Sequence, residues 1–270
     1  MMNEDIYEKY ILAGKIAGEA REYGAKLIKP DVSFYEVAEK VESKIKELGA
    51  GLSFPVNIAR NNLAAHYTPK SNDKLKFKKG DLVKLDVGTH VDGYIADTAV
   101  TVQVETDKYT DLIDASKQGL EIAINEIKPG VKLSNIGKSV SEKIKSFGFK
   151  PIDNLTGHSL KKYVLHAGLS VPSVHDITNR SKPEVDNVIA IEPFATNGAG
   201  HVISGKGSNI YICNDSIRSR LIRDKKSRIL FNRFKKKFNS LPFAQRWVEK
   251  SFENSSVILR KLSYLGFLRH

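Results

Sequence analysis

The chain has 270 residues, 41% hydrophobic and 27% charged, enough apolar side chain for the core of one large domain or two modest ones. Its start, MMNEDIYEKY, carries both signs of charge and no apolar h-region, and no later run approaches the roughly 18 apolar residues of a membrane span, which argues against secretion and membrane insertion. The single cysteine, Cys213, excludes an intrachain disulfide and a thiolate zinc site, suits a reducing cytoplasm, and is expected as a buried small hydrophobe.

Residues 3–29 place Ile6, Tyr10, Ala13, Ile16, Ala17, Ala20, Tyr23 and Leu27 at three- and four-residue spacings ahead of Pro30, the pattern of an amphipathic helix. A second helix is expected at once. Ser33 with Glu36 three residues on makes a capping-box signature, and Phe34, Val37, Ala38, Val41 and Ile45 supply the apolar stripe up to Gly49. Residues 51–60, GLSFPVNIAR, alternate weakly as a strand. They lead into Asn61-Asn62-Leu63-Ala64-Ala65-His66-Tyr67-Thr68-Pro69, where a histidine at a loop edge is, by itself, more often structural than catalytic.

Residues 82–104, LVKLDVGTHVDGYIADTAVTVQV, alternate on both sides of an Asp92-Gly93 turn signal and read as a β-hairpin. With the turn centred there, Asp97 lies opposite Gly88, which shares a face with Asp86, so the two carboxylates are diagonal neighbours about 7–8 Å apart. A slightly different turn makes them directly opposite. Like charges so placed destabilise a sheet, which suggests a cation between them; the alternative is two solvated carboxylates on the wet face of an edge hairpin.

Two further helices are expected over 108–127 and 134–147, the second opened by Ser134 and closed by Gly148. They repeat the first pair in kind and suggest a pseudo-duplicated α+β domain whose halves share one sheet. Gly157-His158-Ser159-Leu160 and Leu165-His166-Ala167-Gly168 follow, then a strand-like run over 187–194 that Glu192 interrupts. A Glu inside an apolar run is rarely buried unless it is paired or bound to a cation. Asp86, Asp97, His158 and Glu192 together are hard oxygen donors with one nitrogen, a set that suits Mn, Fe, Co or Zn better than Ca, and two ions better than one. Taken singly, His158 also reads as a cap or core histidine and Glu192 as half of a salt bridge.

Residues 216–270 hold 15 Lys and Arg against 3 Asp and Glu, while the first 215 residues balance at 28 of each, so the whole net charge of +12 lies after residue 215. A boundary is therefore expected there, between a domain over 1–215 and a basic helical subdomain over 216–270. The charge suits a polyanionic neighbour such as RNA, or simply a solvated helix surface. Residues 241–270 pattern as short helices around Phe243, Trp247, Val257, Leu262 and Leu265.

AAHYTP, LDVGTHVDGYIADTAVTV, GHSL with LHAG after it, and IEPFATNGAG resemble, in order and spacing over roughly residues 1–205, the motifs of the methionine aminopeptidases. The basic segment resembles the insert of the type 2 enzymes in their archaeal form. The resemblance implies an α+β pita-bread (creatinase/aminopeptidase) fold with a helical insert and a centre of two divalent metal ions, Co, Mn, Fe or Zn. It implies that Asp86 chelates one ion, Asp97 bridges both, and His158 and Glu192 bind the second. His166 matches the histidine that contacts the peptide near the scissile carbonyl, His66 the one near the substrate amine, and Phe54 and Leu165 the pocket for the methionine side chain. The implied activity is removal of the N-terminal Met from nascent polypeptides by a metal-activated water. A cytoplasmic monomer without membrane contact is expected, its basic segment offering a surface to ribosomal RNA.

Two rivals stay open. Proline-type aminopeptidases share the fold and ligand types but usually carry an additional N-terminal domain, and a metal-free pita-bread protein could bind RNA or ribosomes through the basic segment. There is also a departure from the family pattern, whose fifth ligand is a second bridging Glu in a Phe-Glu-His-Thr type motif after the insert. Phe252-Glu253-Asn254-Ser255 bears only a faint likeness to it, and a helical pattern runs from Val257 to His270, so Glu253 is not taken as that ligand. The expectation is a chain incomplete at its C-terminus, lacking the final strand and impaired in catalysis by loss of the fifth ligand.

Overall fold

The computed structural model describes residues 2–205, 207–252 and 255–269; Glu253 lies outside the described residues. Two compact units emerge, one of residues 9–105 with 205–270, the other of residues 1–8 with 106–204.

Helix α1 spans Glu4–Leu27 and α2 Phe34–Glu47, close to the expected bounds. Ser33 caps α2, its Oγ accepting from the Glu36 N–H at 3.0 Å, but Glu36 does not close the box and instead pairs with Lys40 at 2.7 Å. The single strand expected over 51–60 is broken into β1 (Gly51–Leu52) and β2 (Asn57–Arg60), because Pro55 has no N–H to give a ladder. The hairpin is present, with β3 at Leu82–Val91 and β4 at Tyr94–Gln103. Asp92 (φ 50°) and Gly93 (φ 90°) both lie in the left-handed region, as a two-residue type I′ turn demands. β3 pairs antiparallel with β1, β2 and β4. Under this sheet Phe34, Val37, Val41, Ile45, Ile58, Phe77, Leu85 and Val87 form a closed core, the apolar stripe of α2 supplying half of it.

In the other unit α3 runs Thr110–Glu126 and α4 Leu133–Ser146. Ser134 does not open α4. It is buried inside the first turn, Lys132 occupies the cap position without a side-chain bond, and the Leu133 N–H donates to the Ser181 carbonyl at 3.1 Å. Burying Leu133 in the core with Ile136, Val140 and Ile144 outweighs a serine cap there. Gly148, at φ 82°, closes the helix as expected. The strands are short: β5 Lys150–Pro151, β6 Thr156–Leu160, β7 Ser170–Pro172, β8 Val188–Ala190 and β9 Ala195–Thr196. Among the described residues they pair as β7-β6-β8 and β5-β9, two small sheets within this unit. Pro151, Pro172 and Pro193 explain the brevity, each removing a ladder donor.

The basic segment folds around β10 (Ile210–Cys213), which lies between β11 (Phe243–Ala244) and β12 (Leu268–Arg269). Helices α5 (Lys225–Phe238), α6 (Gln245–Glu249) and α7 (Ser255–Tyr264) pack there around Phe231, Phe234, Phe243, Leu259, Leu262 and Phe267. Two expected core residues are outside: Val257 is 58% and Leu265 48% exposed. The helical pattern toward the C-terminus also stops early, because Gly266 at φ 76° turns the chain so that Phe267 and Leu268 take the buried places. Among the described residues no helix is long and apolar enough to cross a membrane.

Candidate metal centre

The hairpin fixes the placement of its two carboxylates. Gly88 pairs with Asp97 and Asp86 with Ala99, which makes Asp86 and Asp97 diagonal neighbours on one face and leaves the directly opposed arrangement unrealised. Asp86 also sits opposite Asn57 of β2, whose amide donates to Asp86 Oδ2 at 2.9 Å and fixes the orientation of that carboxylate. Opposite Asp97, Gly88 admits no side chain: a Cβ there would stand 2.2 Å from the Phe54 ring and 2.4 Å from Ser53 Oγ. Phe54, one of the two expected pocket residues, is buried with its ring over Gly88. Ser53 Oγ and Asn57 Oδ1 are buried polar atoms without a hydrogen-bond partner among the described residues.

In the other unit His158 is the middle residue of β6, paired with Ser170 on one side and Ala190 on the other, and is only 9% exposed. Its Nε2 lies 3.2 Å from Glu192 Oε1. Glu192 stands two residues beyond β8 and not inside a strand, its side chain 37% exposed, and the next residue is anchored by Ser116 Oγ donating to the Pro193 carbonyl at 2.7 Å. His166 comes back to the same place because Lys161 and Val164 close a tight turn, with Tyr163 at φ 57°, and the Ala167 N–H donates to the Ser159 carbonyl at 2.8 Å. The His158 and His166 rings are 4.2 Å apart between centroids. Leu165, the other expected pocket residue, is buried within this turn.

His66 sits on the loop after β2, exposed, with its backbone at φ 58°. A non-glycine residue there is uncommon and costs energy that the surroundings must supply. Hydrogen bonds on its C-terminal side do so: the Ile58 N–H donates to the Tyr67 carbonyl at 2.7 Å and Thr68 Oγ1 to the Val56 carbonyl at 2.8 Å.

The structure therefore unites Asp86 with Asp97, and His158 with Glu192 and His166. Among the described residues neither unit by itself holds a group of three or more His, Cys, Asp or Glu side chains that could bind an ion. Each carries part of a donor set, and the parts fit divalent transition metals: carboxylates, one of them aimed by an amide, and a buried imidazole against a carboxylate. Asn57 and Ser53 were not found from sequence. Their one signal is position, one on each side of the Pro55 break, and the pairing of Asn57 with Asp86 required the register of β2.

The profile of metallopeptidase family M24 matches residues 8–217. A methionine aminopeptidase of Methanocaldococcus jannaschii is 49% identical over 256 residues, covering 95% of this chain and 85% of its own. Among solved structures, a thermophilic Arx1 superposes at TM-score 0.84 over 100% of this chain and 83% of its own, at 17% identity, which speaks to the fold alone. The methionine aminopeptidase of Thermotoga maritima superposes at TM-score 0.70 with 26% identity over 77% of this chain and 86% of its own, in keeping with the expected α+β pita-bread fold. With a carboxylate-bearing hairpin, an imidazole–carboxylate pair and relatives so alike along nearly the whole sequence, the chain belongs to metallopeptidase family M24, among the methionine aminopeptidases.

Proposed function

We propose that this chain removes N-terminal methionine with two divalent ions, Co, Mn, Fe or Zn, for which Asp86, Asp97, His158 and Glu192 are the protein ligands. The observation that carries this reading is the hairpin register, which holds two like charges diagonally on one face with an amide aiming one of them. Ions held there would lower the pKa of a water and polarise the scissile carbonyl. The chain's own part is positional. Asn57 holds Asp86 in one orientation, Glu192 and His158 present their donor atoms side by side, and His166 lies against His158 to meet the peptide carbonyl. His66 serves the substrate amine. Phe54 and Leu165, both buried, offer the methionine thioether an apolar wall suited to a flexible, polarisable side chain.

We assign the chain to the type 2 enzymes in their archaeal form, acting as a cytoplasmic monomer on nascent polypeptides, with residues 216–270 as an insert subdomain that contacts ribosomal RNA. The test is metal analysis of the purified chain together with methionine release from a Met-Ala-Ser peptide. Release that depends on added Mn or Co and falls to background in Asp97→Asn is the expected result. Release indifferent to a chelator and to Asp97→Asn would sink the reading, preference for Xaa-Pro peptides would favour the proline-type rival, and absence of both metal and cleavage the metal-free binder.

A further inference from the structure

Arg246 is a fully buried arginine on a five-residue helix, and no motif points to it. Its guanidinium reaches four acceptors. Nη1 donates to Thr68 Oγ1 at 2.5 Å and to the Pro69 carbonyl at 3.1 Å, Nε donates to Glu39 at 3.1 Å, and Nη2 donates to Glu42. Glu42 is itself buried; desolvation pushes its carboxyl up, against Arg246, the Trp247 N–H at 2.6 Å and the Val56 N–H at 3.2 Å, which all favour the carboxylate. Lys250 joins Glu39 from the other side.

Such a network is weak evidence for stability, since a buried ion pair often does no better than well-packed apolar residues of the same volume. What it does supply is direction. Thr68 and Pro69 follow His66 by two and three residues, and further restraints on this stretch come from the β2 region and from the same subdomain. The Thr68 N–H donates to the Ser208 carbonyl at 3.2 Å, Asn209 Nδ2 donates to the Thr68 carbonyl at 2.8 Å, and Ser71 Oγ donates to Glu249 at 2.7 Å. Tyr67 OH adds a bond to Asp73 at 2.5 Å. A left-handed backbone at His66 persists only while its flank is over-determined, and Arg246 is where the flank meets buried charge.

We propose that Arg246 is a positioning residue for His66: through Thr68 and Pro69 it holds the loop in the conformation that presents the imidazole. The proposal rests on the reading of His66 as the residue beside the substrate amine.

Two independent readouts test it in the full chain. The first is the His66 imidazole resonances of metal-free protein, wild type against Arg246→Lys, with Thr68→Val as a second variant outside the buried ion pair should the first not fold. Expected are shifted or broadened His66 signals with the signals of His90 and His201 unmoved. The second is kinetics on Met-Ala-Ser: kcat is expected to fall about 10- to 100-fold, the scale of a misplaced catalytic group, with KM changed by no more than about twofold. In a His66→Ala background the same substitution is expected to cost nothing further. Unmoved His66 signals in a folded variant, or an equal loss of kcat with and without His66, overturns the proposal. Full activity in His66→Ala alone defeats the role given to His66 instead, and the resonance experiment then decides the positioning by itself.

Discussion

Asn57 and Gly88 act at the same face in opposite ways, one by adding a donor and the other by omitting an atom. Replacing Asn57 by Ala removes an amide that aims Asp86, and loss of such an outer partner is expected to weaken divalent metal binding about 10- to 100-fold, measurable by calorimetric titration with Mn. Replacing Gly88 by Ala forces a methyl into contact with Phe54 and Ser53, and overpacking of this kind is expected to lower the unfolding free energy by about 1–3 kcal/mol. Gly14→Ala is the matched control, because a Cβ there meets no atom within 4 Å and α1 should gain up to about 1 kcal/mol from the better helix former. Denaturant melts of the two variants should therefore move in opposite directions.

At the scale of elements, α5 depends on a titrating cap. Asp224 accepts from the Ser227 N–H at 3.0 Å and from its hydroxyl, and these bonds, helped by Lys261, hold its carboxyl at about 2. Because this folded value lies below the ordinary carboxylate value, the cap contributes fully above about pH 4 and is lost as the pH falls from there through about 2. Asp224→Asn keeps a good cap without the titration, so melts taken between pH 4 and 2 are expected to show a flatter decline than in the wild type. The elements most legible in the sequence were those with a strong local period. The stripe of α2 and the turn at Asp92-Gly93 each determined their geometry within a few residues, and the turn carried the register of Asp97 with it. Illegible were features settled at long range. Ser134 lost the cap because Leu133 had a core to enter, Glu192 fell outside its strand because Pro193 ends the ladder donors, and Arg246 meets Glu42 across 204 residues of chain. Of the candidate site, the diagonal placing of Asp86 and Asp97 was readable and the supporting Asn57 and Arg246 were not, since a hydrogen-bond partner has no period.

For the whole molecule, charge is the property that sequence and structure both make plain. The net +12 resides after residue 215, and on α5 Lys225, Lys226, Arg233, Lys236 and Lys237 are exposed. If these side chains meet RNA phosphates, each contact releases counterions, and the affinity for ribosomes should fall linearly on a log–log plot against salt. Reversing Lys236 and Lys237 to Glu is expected to flatten that slope by about two, or more, while leaving methionine release unchanged. Co-sedimentation insensitive to both salt and these substitutions would count against a ribosomal contact.

The lone thiol of Cys213 has a practical consequence. It lies in the core around β10, where burial pushes it up to about 12, so at neutral pH only about one molecule in 10⁵ carries the reactive thiolate. Alkylating reagents should therefore ignore the native chain. A second cysteine placed anywhere on the surface becomes a unique handle for a fluorophore or spin label with no background to subtract. The converse is equally useful, because slow labelling of the wild type can proceed only when this core opens, which makes its rate a clock for local unfolding of the C-terminal helices.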